Sequence, residues 1–132
     1  MTFTELESRI GASLVQSDWK QYKNGGGWVY KDAFIAESDD IFIGENAVVL
    51  RGTIKGGTIE GGTWKTNPLY IVGSRHDISN AKPGHIRIGC KCEPFDWWKT
   101  KEAERFARDN GYDDEALAEY KEYIKLFARF GK

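Results

Sequence analysis

Apolar residues at helical spacing open the chain. They recur at three- and four-residue steps, at Phe3, Leu6, Ile10 and Leu14. This spacing places them on one face of an α-helix, and Thr2 followed by Glu5 has the capping-box pattern of a helix start. We therefore expect an amphipathic helix over about residues 3–15, which covers an open end or edge of the core. The run Asn24-Gly25-Gly26-Gly27 predicts a flexible joint after it.

From Trp28 onward the apolar period changes to six residues, with an extra Ile41-Phe42 before the unit at Ile43, and then shortens to five. The residues that open these units are Val29, Ile35, Ile43, Val49, Ile54, Ile59, Trp64 and Leu69. A regular inward side chain between glycine corners is what a short β-solenoid requires. The alternative is a set of Gly-Gly hairpins. Strands of about three residues are short for independent hairpins, so the pattern favours the solenoid.

The stretch after the repeats predicts a last strand before the helices. Tyr70-Ile71-Val72-Gly73 closes the repeats, and Lys82-Pro83-Gly84 is a turn into the strand 85–90. Alternation along that strand predicts that Ile86, Ile88 and Cys90 are buried, while His85 and Arg87 lie on the other face.

After Pro94 the spacing becomes helical. The first helix should run from about Asp96 to Asn110 and stop at Gly111, and the second should be capped by Asp113 and run to Phe130. Its expected buried stripe is Leu117, Tyr120, Ile124 and Phe127. A three-residue joint between two helices predicts an antiparallel hairpin.

These elements predict a mainly β fold with α-helices, in a single domain over residues 1–132. The expected parts are a helix at 3–15, a β-solenoid-like or β-sheet core at 28–92, and a helical hairpin at 95–130. Stacked repeats need about three or more coils plus caps for a stable core. Since the repeat segment is brief, we expect both the flanking helices and a second copy to complete it, giving a homo-oligomer.

Composition narrows the classes of partner. The chain is 40% hydrophobic and 30% charged, with a formal net charge of -1, so it lacks the basic surface that double-stranded nucleic acid binding rests on. No apolar run approaches the ~20 residues of a membrane helix, and the N-terminus has no secretion-signal pattern. We therefore expect a cytosolic protein that meets an anionic partner in a local pocket.

The candidate ligand-binding residues cluster after the repeats. Gly73-Ser74-Arg75-His76-Asp77 offers a guanidinium fork suited to phosphate, with hydrogen-bonding neighbours. The strand residue Arg87 and the repeat residue Arg51 are further candidates. The full candidate set is Arg51, Tyr70, Ser74, Arg75, His76, Asn80, Arg87, Trp97 and Trp98. The alternative for each arginine is a solvated charge or a carboxylate partner.

Trp97 and Trp98 belong to this set as flat stacking surfaces. If they open the hairpin helix, the free N–H groups of its first turn lie beside their rings, so a phosphate and a base could both bind there. The alternative is that the two rings attach the hairpin to the core.

Metal and catalytic signatures are weak. Cys90, Cys92, His76 and His85 could ligate zinc in principle, but structural zinc sites space a cysteine pair by two to four residues. No P-loop, dinucleotide-binding or zincin motif occurs. We expect no metal, no cofactor and no catalytic residues.

Two resemblances arise from these residues. The stretch 29–54 resembles the hexapeptide-repeat proteins, which include acyltransferases. Residues 66–126 carry a set of motifs, in this order: Asn67-Pro68-Leu69-Tyr70-Ile71-Val72-Gly73-Ser74-Arg75-His76, Ile86-Arg87-Ile88-Gly89-Cys90, Trp97-Trp98, Gly111-Tyr112, Glu119-Tyr120 and Tyr123-Ile124. That order resembles the first type of Thoeris anti-defence protein of phages.

The second resemblance implies a non-enzymatic sponge. Members of that family bind a cyclic ADP-ribose isomer made by a defence TIR protein, in the cytoplasm of the infected bacterium, and assemble as dimers or larger oligomers such as hexamers. It implies that Arg75, Arg87 and Ser74 lie near the phosphates, with Trp97, Trp98 or Tyr70 against the base. The alternatives are an acyltransferase-like or sugar-nucleotide enzyme with His76 as its base, and a phage structural protein.

Overall fold

The computed structural model describes residues 1–132. The chain forms two compact units, Met1–Asn67 and Pro68–Lys132. Helix and strand occur in similar proportion, so the fold is mixed α and β. None of its helices has the length and apolar character needed to cross a membrane.

The first unit begins with helix α1 (Phe3–Ile10). Its capping box is present, because Thr2 accepts from the Glu5 backbone and the Glu5 side chain accepts from the Thr2 backbone. The helix is shorter than predicted: Gly11 takes a left-handed conformation (φ 82°) and its N–H closes the last turn on the Glu7 carbonyl. Leu14, expected on the same helix, lies beyond its end, and its backbone N–H donates to the Glu7 carboxylate.

A 3₁₀ turn at Gln16–Asp18 and six strands follow in this unit: β1 (Trp19–Gln21), β2 (Trp28–Tyr30), β3 (Phe34–Ile35), β4 (Phe42–Val49), β5 (Thr53–Ile54) and β6 (Thr58–Trp64). One sheet has the order β1-β2-β4-β6, with antiparallel β1–β2 and parallel β2–β4 and β4–β6 pairs. A two-stranded parallel sheet joins β3 and β5. The core of this unit therefore consists of two sheets, and no closed solenoid is present.

The five- and six-residue apolar periods are confirmed as a burial pattern. The side chains that open the units are buried at Val29, Ile43, Val49, Ile54, Ile59 and Trp64 and half-buried at Ile35 and Leu69. Ile43 lies in register beside Ile59 across the parallel pair. Trp64, only 1% exposed, is a core residue as expected.

The glycine run after Asn24 is packed rather than flexible. A Cβ on Gly25 would lie 2.3 Å from the Ile43 carbonyl oxygen, and the Gly27 N–H donates to that same oxygen at 2.8 Å. The prediction of a flexible joint is wrong: the absence of side chains lets this backbone pack directly against β4.

The second unit contains an antiparallel sheet of its own. Its strands are β7 (Tyr70–Val72), β8 (Asp77–Ser79), β9 (His85–Ile88) and β10 (Lys91–Pro94), in the order β10-β9-β8-β7. The expected single β core over 28–92 is therefore divided: Tyr70 to Val72 begin a new sheet instead of closing the repeats.

A strand reversal explains why Cys90 is exposed. Ile88 pairs with Lys91 across the β9–β10 hairpin, so Gly89 and Cys90 form its two-residue turn, with Gly89 at φ 57°. The prediction that Cys90 is buried is wrong, because alternation ends where the strand turns. Ile86 is buried as expected, and Ile88 is half-buried.

Two helices follow a 3₁₀ turn at Trp97–Lys99. Helix α2 spans Lys101–Asp109 and helix α3 spans Asp114–Phe130. The expected start at Asp96 is wrong, because the N-cap is Thr100, whose hydroxyl accepts from the Ala103 N–H. Asp113 caps α3 as predicted, and its predicted stripe is buried at Leu117, Tyr120, Ile124 and Phe127.

Candidate ligand-binding cavity

The second unit contains a solvent-open cavity of about 730 Å³. This volume is within the ~300–1,000 Å³ of small-molecule sites. Its walls are the helices α2 and α3, the 3₁₀ turn before α2, the β9–β10 turn, and His76 in the β7–β8 loop. Much of the lining is apolar or aromatic, at Ile88, Trp98, Ala103, Phe106, Ala107, Tyr112, Leu117, Tyr120 and Ile124.

One wall is held by a tryptophan with a fixed orientation. The indole N–H of Trp98 donates to the carbonyl oxygens of Ile86 (2.9 Å) and Glu93 (3.1 Å). The Trp98 side chain is 8% exposed, and its ring meets that of Trp97 edge to face at 5.0 Å. Because the indole N–H and the ring of Trp98 both have partners within the protein, the side chain is held in place without a ligand.

A tyrosine hydroxyl organises the loop that carries His76. The Tyr120 hydroxyl accepts from the backbone N–H groups of Arg75 (2.9 Å) and His76 (2.6 Å), and it donates to the His76 carbonyl oxygen at 2.8 Å. Tyr120 is 3% exposed. Helix α3 thereby fixes the backbone on which His76 enters the lining.

His76 and Tyr112 form an aromatic end to the cavity. Their rings are nearly parallel, 9° apart with centroids at 5.7 Å, and His76 Nδ1 lies 2.6 Å from the Tyr112 hydroxyl. Burial is the main factor that raises the pKa of Tyr112, and the neighbouring Tyr120 adds to it. The phenol therefore stays protonated and available as a donor at neutral pH.

Charged side chains surround the other part of the lining: Lys99, Lys101, Glu104, Lys121, Glu122 and Lys125. Lys121 faces Glu104 at 3.8 Å and Lys125 faces Glu122 at 3.1 Å. Lys99 and Lys101 are exposed and have no carboxylate partner. The excess of positive charge therefore belongs to these two lysines, on either side of the α2 N-cap.

Of the predicted site residues, His76 and Trp98 lie in the lining. Arg75 instead bonds the loop between the helices: its guanidinium donates to the Gly111 carbonyl oxygen at 2.9 Å and pairs with Asp113 at 3.3 Å. It also lies 5.6 Å from the Tyr112 ring centroid. Arg75 therefore pairs with a carboxylate, which is the alternative to phosphate binding that the sequence left open for each arginine.

Ser74 and Tyr70 are engaged by carboxylates. The Ser74 backbone N–H donates to Glu119 at 3.0 Å and its hydroxyl donates to the other carboxylate oxygen. Those two bonds lower the pKa of Glu119, and a bond from Tyr123 adds to the effect. The Tyr70 hydroxyl donates to Asp77 at 2.8 Å.

Asn80 is completely buried away from the cavity lining. Its amide nitrogen donates to the carbonyl oxygens of Lys82 (3.1 Å) and His85 (2.9 Å), and its oxygen accepts from the Lys132 N–H at 2.6 Å. The side chain is fully used in joining the β8–β9 turn to the end of α3.

The three remaining predicted residues also lie outside the lining. Arg87 is half-buried on β9, beside Cys92 and Ser79 in register, and its side chain is not free. Half-buried Trp97 packs on Phe106, with the Lys91 ammonium 5.1 Å from its ring. Arg51 is exposed in the first unit.

Sequence reasoning missed Lys99, Lys101 and Tyr112 as lining residues. The available signal was Lys99-Thr100-Lys101, a threonine cap between two lysines directly after the paired tryptophans. No group of three or more His, Cys, Asp or Glu side chains is placed to hold a metal ion. Comparisons with family models, curated proteins and solved structures find no match to this chain.

Proposed function

We propose that the protein is a non-enzymatic sponge that binds a cyclic nucleotide of the cyclic ADP-ribose type and thereby withdraws it from TIR-dependent signalling. The observation that carries the proposal is the cavity, which joins an aromatic end to a pair of lysines without carboxylate partners. An amphipathic anion with a flat ring is complementary to both parts.

The charges favour an anionic ligand. Lys99 and Lys101 give up no internal ion pair when they bind an anion, so the full charge-assisted interaction is available to the ligand. Such a hydrogen bond contributes about 1.5–3 kcal/mol. The phosphates are therefore assigned to these lysines rather than to Arg75 and Arg87.

Sequestration is favoured over turnover by the partners of the cavity's polar groups. His76 faces a tyrosine hydroxyl, and Glu104 and Glu122 each face a lysine. A general base usually has a pKa tuned towards the working pH and a proton to abstract within hydrogen-bond reach. The cavity instead offers a ligand aromatic rings for stacking and the positive charges of its lysines.

The direct test is capture and release. The purified protein is incubated with cyclic ADP-ribose isomers, washed, and denatured by heat, and the released material is identified by mass analysis. We expect intact ligand in stoichiometric amount. Release of a hydrolysed or acylated product would support the enzyme alternative, and no retained nucleotide would overturn the proposal.

A pair of double variants locates the site. Lys99→Gln with Lys101→Gln should weaken binding about 100-fold or more, since two charge-assisted contacts are lost. Lys55→Gln with Lys65→Gln removes the same charge from exposed positions of the first unit and should leave the Kd unchanged. Equal affinities of both double variants would place the phosphates elsewhere.

The proposal includes the cellular setting and assembly. The sponge acts in the cytoplasm of the infected bacterium as a homo-oligomer, a dimer or a hexamer, in which the parallel strands of the first unit continue a solenoid-like core. Exposed apolar side chains in the first unit, Val15 (61%) and Phe34 (62%), supply surface for such an assembly.

A further inference from the structure

His76 is the only histidine in the cavity lining, and one of its ring nitrogens is already engaged. Nδ1 lies 2.6 Å from the Tyr112 hydroxyl, whereas Nε2 has no partner within the protein. Gly89 leaves room for the ring, since a Cβ there would come within 3.2 Å of His76 Cδ2. The chemistry offered to a ligand therefore depends on which nitrogen carries the proton.

The hydrogen bonds of the two neighbouring tyrosine hydroxyls indicate which nitrogen of His76 carries the proton. A hydroxyl has one donor and two acceptor positions, and that of Tyr120 uses all three on the Arg75 N–H, the His76 N–H and the His76 carbonyl oxygen. Tyr120 therefore has no acceptor position left for the Tyr112 proton, and His76 Nδ1 is the acceptor that lies 2.6 Å from the Tyr112 hydroxyl. When the Tyr112 hydroxyl donates to Nδ1, the neutral His76 ring carries its hydrogen on Nε2.

We propose that His76, held in this tautomer by Tyr112, presents its Nε2–H to the cavity and selects ligands whose ring carries a hydrogen-bond acceptor, a ring nitrogen or carbonyl oxygen of a nucleobase. Tyr112 acts as a positioning residue through His76. This inference rests on the proposed function, because it assigns the ring of the sequestered nucleotide to the aromatic end of the cavity.

The second histidine of the chain provides an internal reference. His85 Nδ1 lies 2.9 Å from the Pro83 carbonyl oxygen, and a carbonyl oxygen only accepts, so neutral His85 carries its proton on Nδ1. The two histidines should therefore show opposite tautomers in one spectrum.

Long-range ¹⁵N–¹H correlation spectra of the protein with labelled histidine test the tautomer without a ligand. At a pH where both rings are neutral, we expect a protonated Nε2 on His76 and a protonated Nδ1 on His85, assigned with a His85→Gln variant. Tyr112→Phe, shown to be folded by its melting curve, should turn His76 into a mixture. A protonated Nδ1 on His76 in the parent protein would overturn the inference.

Titration with cyclic ADP-ribose isomers tests selection by the ligand. His76→Phe keeps a flat ring without the donor and should weaken binding about 3- to 10-fold, while His76→Gln keeps an N–H donor and should recover most of the affinity. The Nε2 resonance of the parent should shift on binding. If the Phe variant binds as tightly as the parent while the double Lys99 and Lys101 variant does not, the sponge stands and the role of His76 fails. If no isomer binds the parent, the sponge itself fails, and this assignment with it.

Discussion

Replacing Asn80 by alanine separates a structural role from the ligand-binding role predicted for it. The variant removes three hydrogen bonds from a fully buried position: those from the Asn80 amide nitrogen to the Lys82 and His85 carbonyl oxygens, and that from the Lys132 N–H to the Asn80 oxygen. The Lys82 carbonyl oxygen keeps the His85 N–H as a donor. A net contribution of about 0.5–1.5 kcal/mol for each bond gives a loss of about 2–4 kcal/mol in the free energy of unfolding. For a chain of this size that corresponds to a Tm lower by roughly 6–15 °C.

The assay is calorimetric melting, with Asn46→Ala as the matched control. Asn46 is exposed and its side-chain amide makes no hydrogen bond, so its replacement should leave the Tm almost unchanged. Below its melting range, Asn80→Ala should bind cyclic ADP-ribose isomers with the parent Kd, because Asn80 is outside the cavity lining. A Tm equal to that of the control would refute the reasoning, and a weakened Kd in a folded variant would restore the ligand-binding role.

Further measurements test the other contacts and the assembly. Arg75→Ala should lower the Tm, since it loses the hydrogen bond to Gly111 and the ion pair with Asp113. If Arg75→Ala or Arg87→Ala instead melts like the parent and binds the ligand about 10-fold or more weakly, the phosphate role first predicted for these arginines is supported. The folded-state pKa of Glu119 is lowered by Ser74, so its stabilisation is present above the unfolded pKa of ~4.3 and is lost as pH falls through the folded pKa. Glu119→Gln should therefore flatten the acid side of the curve of Tm against pH, and identical curves would count against this bond. Cys90 is exposed in the cavity lining, so bound nucleotide should slow its alkylation by iodoacetamide. If Cys90 is alkylated equally fast with the ligand at saturation, the ligand binds outside this cavity. Replacement of Cys90 and Cys92 by alanine should leave the Kd unchanged. Light scattering at micromolar concentration should show an oligomer, and a 15 kDa monomer would contradict the assembly.

Local patterns in the sequence predicted the elements whose causes are local. The capping box at Thr2 and Glu5, the cap at Asp113, and the buried stripe from Leu117 to Phe127 each depend on residues within a few positions of one another. The burial of Ile54, Ile59 and Trp64 followed from their period alone. These features required no knowledge of distant partners.

The candidate site depended on distant partners and was predicted only in part. His76 and Trp98 are in the lining, but Arg75 is bound by residues more than thirty positions away, Gly111 and Asp113. A charge pattern cannot show which carboxylate an arginine will meet. Cys90 was placed wrongly for a related reason: its exposure depends on where β9 turns back to pair with β10.

The Tyr120 hydroxyl also restricts which substitutions this region can accept. A Cβ on Gly73 would lie 2.5 Å from that oxygen, so an alanine at position 73 would displace the hydroxyl that the Arg75 and His76 backbone groups require. A phenylalanine at position 120 would relieve the crowding and leave those groups without a partner. Glycine at 73 and tyrosine at 120 should therefore be inherited together, and chains that diverge from this one should keep both or replace the whole β7–β8 loop.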